Sequence, residues 1–426
     1  MKHPEMSELI YDWNQGGLID LKGVVRVELN DETLRDGLQS PSITDPPIDE
    51  KIKLLHLMEE MGIDSANIGL PAAGPRAFND ALALAKEIAR FRMKIKPNCA
   101  ARTIVEDISP IVEISQRAGI KIEVAAFIGS SPIRQYVEGW TLTKMLKLTE
   151  TAVRYTVENG LPSMYVTEDT TRANPDTLEA LYRMAIESGA RRVVIADTVG
   201  HATRTGTTNV VRFVKDVIES VGIDVKVDWH GHSDRGFALA CALAAIRAGV
   251  DRVHATALGI GERCGNAAMD LLLVNLKLMG IINNDLTKLD AYCNLVAHAT
   301  KTSIPFNYPI IGPDAFRTAT GVHAAAIIKA QRKEDEWLAD RVYSGVPAGM
   351  VGRRQKIDIG PMSGESNVVF WLEQHNYKVT DELVKKILDY AKHADRVLND
   401  DDVEVFINTE IQPNGQKETS EVQHGS

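Results

Sequence analysis

Cysteine is scarce in this chain. Its 426 residues hold only Cys99, Cys241, Cys264 and Cys293, and no two of them form a C-x-x-C pair. That excludes a disulfide framework and a thiolate zinc site as organising devices, and it suits a reducing compartment. Long apolar runs are also missing. No uncharged stretch reaches the ~18 residues of a membrane span, and the longest candidate, 236–250, is broken by Arg247. The opening "MKHPEMSELIYDWNQGG" lacks the apolar core of a secretory leader, so a cytoplasmic protein with no membrane contact is expected. Nor is there a basic stripe. Acidic side chains number 58 against 48 basic ones, a net charge of −10, which argues against nucleic acid as a partner.

What is present is an ordinary globular composition, 44% hydrophobic and 25% charged, in a chain too long for one minimal domain. Through its first two thirds, short β-branched runs alternate with longer helical patterns. The strands are predicted at 24–31, 65–70, 94–100, 121–129, 163–170, 191–199, 224–232 and 252–258. Eight βα units over residues 24–282 predict a parallel sheet of the usual size for a (β/α)8 TIM barrel, an α/β fold, with a doubly wound open sheet as the alternative. Helices are predicted at 49–62, with Ile52, Leu55, Met58 and Met61 on one face, and at 175–189, with Pro175 at its first position.

After residue 282 the alternation stops. The segment 304–316 is proline-rich and turn-like, and 321–343 and 381–398 read as single helices. Residues 283–407 are therefore expected to form a smaller, mainly helical C-terminal domain. Residues 1–23 read as an N-terminal arm, and the polar 408–426 as a disordered tail.

Barrel active sites lie at the C-terminal strand ends. Strand 7 ends in "HGH": His230 and His232, two residues apart, share one face and are placed to ligate a single metal. Strand 1 runs into "NDETLRDGLQS", where Asp36 is positioned to complete a two-histidine, one-carboxylate set. Each motif alone has a plainer reading, as loop-bonded histidines or a loop Arg–Asp pair. Strand 8 leads into "GIGERCGN", whose sixth position is Cys264, which spoils a dinucleotide fingerprint. Its glycines let backbone approach a ligand, with Asn266 as an oxygen donor. Strand 5 ends in Glu168 and Asp169 and strand 6 in Asp197 and Thr198, each a helix cap or a substrate contact.

"DETLRDG", "HGHSDRG" and "GIGERCGN", in that order, resemble the metal-dependent Claisen-condensing barrels of the 2-isopropylmalate synthase and homocitrate synthase type, relatives of 3-hydroxy-3-methylglutaryl-CoA lyase. The resemblance covers about residues 24–370. "GVHAAAIIK" (321–329) is similar to the lid segment of the synthases, and "YSGVPAGMVGR" (343–353) with "GPMSG" (360–364) to their next subdomain. The resemblance implies a divalent metal (Mg, Mn or Zn) held by Asp36, His230, His232 and Asn266, with a 2-oxo acid and acetyl-CoA as substrates. Arg35 would stabilise the developing alkoxide and Thr198 would hold the carboxylate. His323 with Tyr343 would act on the acetyl methyl group, supported by Glu168 or Asp228. A homodimer sharing lid residues between subunits is implied.

Five positions depart from the pattern: Leu38 makes "DGLQ" nearer the lyase form, and Met362 replaces the usual histidine before Ser-Gly. The usual strand-2 glutamate is Asn67, which leaves the orientation of Arg35 open; a strand-4 histidine is Ala125; and Arg134 stands where isopropylmalate synthases usually have histidine. Arg134 is a surface charge by default, or else a reader of an anionic substrate group. The synthase reading is set against two others: an acyl-CoA lyase, which Cys264 and "DGLQ" keep open, and a metal-binding scaffold without catalysis.

Overall fold

The eight expected strands form, and they close. β1 (Glu28–Asp31), β2 (Ser65–Asn67), β3 (Lys96–Arg102), β4 (Glu123–Gly129), β5 (Ser163–Glu168), β6 (Arg192–Asp197), β7 (Lys226–Gly231) and β8 (Arg252–Ala255) pair in sequence order, all parallel. β8 returns to β1 in the register Glu28↔Arg252 to Asp31↔Ala255. This closed barrel is the fold that the alternating pattern predicts, and it removes every open sheet edge. The computed structural model describes residues 9–11 and 26–411, so most of the expected arm 1–23 and the tail beyond 411 lie outside the described residues.

The connecting helices are α1 (Ile48–Glu60), α2 (Pro75–Phe91), α3 (Val105–Ala118), the short α4 (Pro132–Glu138), α5 (Leu142–Glu158), α6 (Pro175–Glu187), α7 (Arg204–Val221), α8 (Ala238–Ala248), α9 (Met269–Leu278) and α10 (Leu289–Thr300). Strands buried on both faces read as continuous apolar runs, as in β6, where Val193 to Ala196 are all buried. Helices bury one stripe: in α1 it is Leu54, Leu55 and Met58. Among the described residues no helix is long and apolar enough to cross a membrane.

The barrel interior is not uniformly aliphatic. Ala125, Met164 and Val194, from β4 to β6, pack as one buried apolar cluster. A polar network accompanies it. Asn30 Oδ1 accepts hydrogen bonds from Ser65 Oγ (2.7 Å) and Asn98 Nδ2 (2.6 Å). Arg252, only 2% exposed, donates to Asp228 (2.7 Å) and Glu123 (2.9 Å). Arg192 pairs with the other Asp228 oxygen at 2.6 Å and with Glu28 at 3.1 Å. Buried charges persist only when paired, and here each cation has at least two carboxylates.

The chain divides into two compact units, Met1–Ser303 and Ile304–Ser426. α10 belongs to the first, some residues past the sequence-expected boundary at 282. Its Tyr292 hydroxyl donates to Asp31 at the end of β1. In the second unit, β9 (Arg317–Thr318) pairs with β10 (Lys356–Ile357) beside α11 (Gly321–Gln331), α12 (Glu336–Ala339), α13 (Glu365–Gln374), α14 (Asp381–His393) and α15 (Asp400–Phe406). Val368, Trp371, Leu372, Ile387, Ala391 and Val403 form its core.

Three expectations are corrected here. The stretch 321–343 is not one helix: the charged run after Gln331 ends it, Glu334 turns left-handed, and the Asp335 side chain caps a new turn by accepting from Leu338 N–H (2.9 Å). The helix expected over 381–398 stops at His393, because Ala394 is extended and Leu398 bridges to Ile359. Residues 407–411, placed largely in the tail, continue as a helical turn.

Asp31 yields a stability prediction. Burial raises its pKa to about 6, although Thr33 and Tyr292 donate hydrogen bonds to it. A carboxyl raised in the folded state binds more protons there than in the unfolded chain. Its contribution is therefore complete below about pH 4 and lost as pH rises through 6. Asp31→Asn is expected to flatten this dependence: the stability difference, mutant minus wild type, should grow by roughly 3 kcal/mol from pH 4 to 7. Denaturant unfolding of both proteins across that range is the check, and parallel curves would contradict it.

Candidate functional site

The turn after β1 carries Arg35 and Asp36 to the C-terminal end of the barrel, and β7 delivers His230 and His232 to the same place. The Asp36 carboxylate lies 3.1 Å from His230 Nε2 and 3.5 Å from His232 Nε2, and the two imidazole nitrogens are 3.2 Å apart. Three donor atoms bound to one ion by bonds of about 2.1 Å stand roughly 3.0–3.4 Å from one another. Two of the observed spacings, 3.1 and 3.2 Å, fall in that range, and the third, 3.5 Å, lies just beyond it. All three residues are buried.

Unpaired atoms at this point support the same fit. Asp36 Oδ1 and Asn266 Oδ1 are buried without a hydrogen-bond partner, a condition that costs free energy unless an ion or water satisfies them. Asn266 Nδ2 donates to the carbonyl of Ile260 (3.2 Å), so the amide's oxygen is the atom left over. The loop after β8 approaches closely because of its glycines. A Cβ at Gly261 would stand 2.2 Å from Asn266 Nδ2 and 3.2 Å from Asp36 Oδ1, and one at Gly265 only 1.8 Å from the carbonyl oxygen of Gly259.

The electrostatics prepare these groups as ligands. Burial opposes the charge of Asp36, but Arg35, His230 and His232 outweigh it and hold the carboxyl well below the usual range. Burial, reinforced by His230, pushes the His232 pKa down to about 4, so its imidazole is neutral at neutral pH, as a ligand must be.

Beneath Arg35 lies a pair that the motif reading missed. Glu32 accepts from Arg35 Nε (2.9 Å) and Nη2 (2.5 Å) on one oxygen, and from Asn30 Nδ2 (2.7 Å) on the other. His254 stands between two carboxylates, Nδ1 3.2 Å from Glu32 and Nε2 3.0 Å from Asp228. Burial opposes the imidazolium, yet those two carboxylates raise the His254 pKa; burial likewise opposes the Glu32 carboxylate, and Arg35 and His254 bring its pKa down to about 2. The signal was in the alternation. Glu28, Asn30 and Glu32 on strand 1, and Arg252 and His254 on strand 8, stand at every second position.

The other expected residues separate. Asp228 is fully buried and both of its oxygens are taken, by Arg192, Arg252 and His254, so it is a barrel-interior anchor and not a support for a base at the mouth. Asn67 is buried, its Oδ1 accepting from Gly69 N–H (3.3 Å). Asp197 caps the loop after β6, accepting from His201 N–H (2.8 Å) and the Thr171 hydroxyl (2.7 Å). Thr198 Oγ1 accepts from Asp169 N–H (2.8 Å) and is half-buried. Arg134 Nη2 lies 3.8 Å from Glu168, and burial raises the Glu168 pKa against the pull of Arg134 and Arg35. In the second unit His323 and Tyr343 stack, ring centroids 4.1 Å apart, with both side chains exposed.

The HMGL-like family model matches residues 26–296. A 2-isopropylmalate synthase of Sulfurisphaera tokodaii is 31% identical over 373 residues, covering 86% of this chain and 90% of that protein. A homocitrate synthase of Methanopyrus kandleri is 30% identical over 365 residues, 85% of this chain and 86% of the other. Among solved structures, the 3-hydroxy-3-methylglutaryl-CoA lyase of Bacillus subtilis superposes with a TM-score of 0.56 at 19% identity, over 67% of this chain and 97% of that one, a likeness of fold. With the match spanning the whole barrel, the chain belongs to the HMGL-like family, and synthases of 2-isopropylmalate and homocitrate are among its relatives.

Proposed function

We propose that this protein is an acyltransferase that condenses acetyl-CoA with a 2-oxo acid and hydrolyses the thioester to a 2-substituted malate, in the manner of a 2-isopropylmalate synthase. The observation that carries the reading is the convergence of Asp36, His230 and His232 within 3.5 Å beside the Arg35 guanidinium. A divalent ion held by those three residues, with Asn266 as a further donor, would supply Lewis acidity to a chelated 2-oxo acid.

The chain's own groups do the rest. Arg35, whose Nη1 lies 3.5 Å from Asp36, stabilises the alkoxide that forms as the acetyl carbon attacks the keto carbon. The Thr198 hydroxyl, whose oxygen already accepts from Asp169, has its proton free for the substrate carboxylate. His323, stacked on Tyr343, is the base that takes the methyl proton of acetyl-CoA. The active unit in this reading is a homodimer. The four free cysteines suit the cytoplasm.

A second reading concerns the substrate. Arg134 stands beside Glu168, and its planar guanidinium suits a distal carboxylate or phosphonate. That would make the enzyme a homocitrate-type synthase acting on an anionic 2-oxo acid.

Three outcomes are expected. A thiol-release assay with acetyl-CoA and a panel of 2-oxo acids, supplied with Mg²⁺, Mn²⁺ or Zn²⁺, should release CoA with at least one acid. Cleavage of 3-hydroxy-3-methylglutaryl-CoA without any such release would replace the synthase by a lyase. His232→Ala and Asp36→Asn should abolish tight metal binding in calorimetric titration and lower kcat by at least about 100-fold; unchanged metal affinity would remove the triad from consideration. If the substrate is dianionic, Arg134→Ala should raise its KM by about 10–100-fold and leave that of branched aliphatic acids unchanged. Equal effects on both classes would return Arg134 to the status of a surface charge.

A further inference from the structure

His230 is shared by two buried clusters with metal-ligating side chains: Asp36–His230–His232 and Glu32–His230–His254. Both are close enough in geometry to hold an ion, and the hydrogen bonds tell them apart. In the first cluster Asp36 Oδ1 has no partner. In the second the sites are full. One Glu32 oxygen takes two donors from Arg35, at 2.9 and 2.5 Å. The other takes Asn30 Nδ2 at 2.7 Å and faces His254 Nδ1 at 3.2 Å. His254 Nε2 is spent on Asp228 at 3.0 Å. A carboxylate with four donors around it has no lone pair left to ligate a cation.

We propose that Glu32 is the positioning residue that sets Arg35 over the metal triad, and that the Glu32–His254 pair is a hydrogen-bonded support for that arginine and not a second metal site. Glu32 is 1% exposed and Arg35 is 19% exposed at its side chain, so one edge of the guanidinium is held from below and the other is left facing the mouth. Its remaining contacts are weaker: Gln39 Oε1 at 3.2 Å and Asp36 at 3.5 Å. Among the described residues, no other carboxylate hydrogen-bonds to the guanidinium. The register Asp31↔Ala66 puts Asn67 level with Glu32 on the neighbouring strand, and Asn67 offers a neutral amide already engaged by Gly69 N–H. Without Glu32, the nearest anion for Arg35 is Asp36 itself, so the guanidinium would turn toward a metal ligand and away from the position where alkoxide charge develops.

This rests on the acyl-transfer reading for its kinetic arm alone. Glu32→Gln keeps the shape and removes the charge. It should lower kcat by about 10–100-fold with KM for the 2-oxo acid changed by less than about threefold. Mn²⁺ titration of the full chain should still find one ion per chain at near wild-type affinity. Two ions per wild-type chain, or loss of Mn²⁺ binding in Glu32→Gln, would overturn the proposal in favour of a second metal site, and an unchanged kcat would overturn it as well.

If the wild-type chain condenses no 2-oxo acid, the functional reading fails, but Glu32 can still be judged. Phenylglyoxal modification followed by peptide mapping should find Arg35 labelled several-fold faster in Glu32→Gln than in wild type, and equal labelling rates would sink the positioning role. Should Glu32→Gln fail to fold, Glu32→Asp keeps the charge, shortens the reach and is expected to move each readout in the same direction by less.

Discussion

The barrel of this protein is organised around a line of alternating charge. Arg252 holds Asp228, Asp228 holds His254, His254 holds Glu32, Glu32 holds Arg35, and Arg35 borders Asp36. Every link but the last is 3.2 Å or shorter, and only Arg35 is more than about 3% exposed. Isolated charges at such burial would be costly, and a pair made only of two would barely offset its own desolvation. A continuous series changes the balance, because each interior member sees opposite charge on two sides. The same line sets the acidities: Arg35 and His254 lower the Glu32 pKa, Arg252 and His254 lower that of Asp228, and the two carboxylates raise that of His254, each against the effect of burial.

This arrangement links fold to chemistry. The lower links close the barrel floor, joining β1, β4, β6, β7 and β8 through Glu28, Glu123, Arg192, Asp228 and Arg252. The upper links determine where Arg35 sits beside Asp36. One network therefore does two jobs that barrels often divide between an aliphatic core and a separate set of mouth residues. At the mouth, Asp36 Oδ1 and Asn266 Oδ1 are buried without partners, whereas Glu32 and His254 have theirs satisfied. Within a few ångströms, then, buried groups with an unpartnered oxygen stand beside groups whose hydrogen bonds are complete.

Much of this was legible in the chain. β-branched runs and helix stop signals marked the eight βα units to within a few residues, since a parallel sheet buried on both faces must be apolar along its strands. His230 and His232 were legible as a pair because period-two spacing puts them on one face of a strand. Asp36 and Asn266 were legible through the motifs around them. Glu32 and His254 were not, although both lie at period-two positions, because nothing in a single strand says which polar residue of a neighbouring strand will be its partner. The break in helix 321–343 was hidden for a similar reason: apolar spacing continues across Glu334, and the local capping bond of Asp335 overrides it.

By itself, then, the sequence determined the barrel, the order of its strands, the strand ends that carry reactive side chains and the family. These follow from local periodicity and from motifs within a few residues, which are written in one dimension. The tertiary structure decided what each polar residue is for. Asp228, a neighbour of His230 and His232 in the chain, is a buried anchor because Arg192 and Arg252 converge on it from two other strands. Arg35 is oriented from strand 1 and not from strand 2, because Glu32 reaches its guanidinium and Asn67 brings no charge. Pairing across strands depends on barrel closure and register, and a charge buried in a closed barrel takes its role from the partners that closure brings to it.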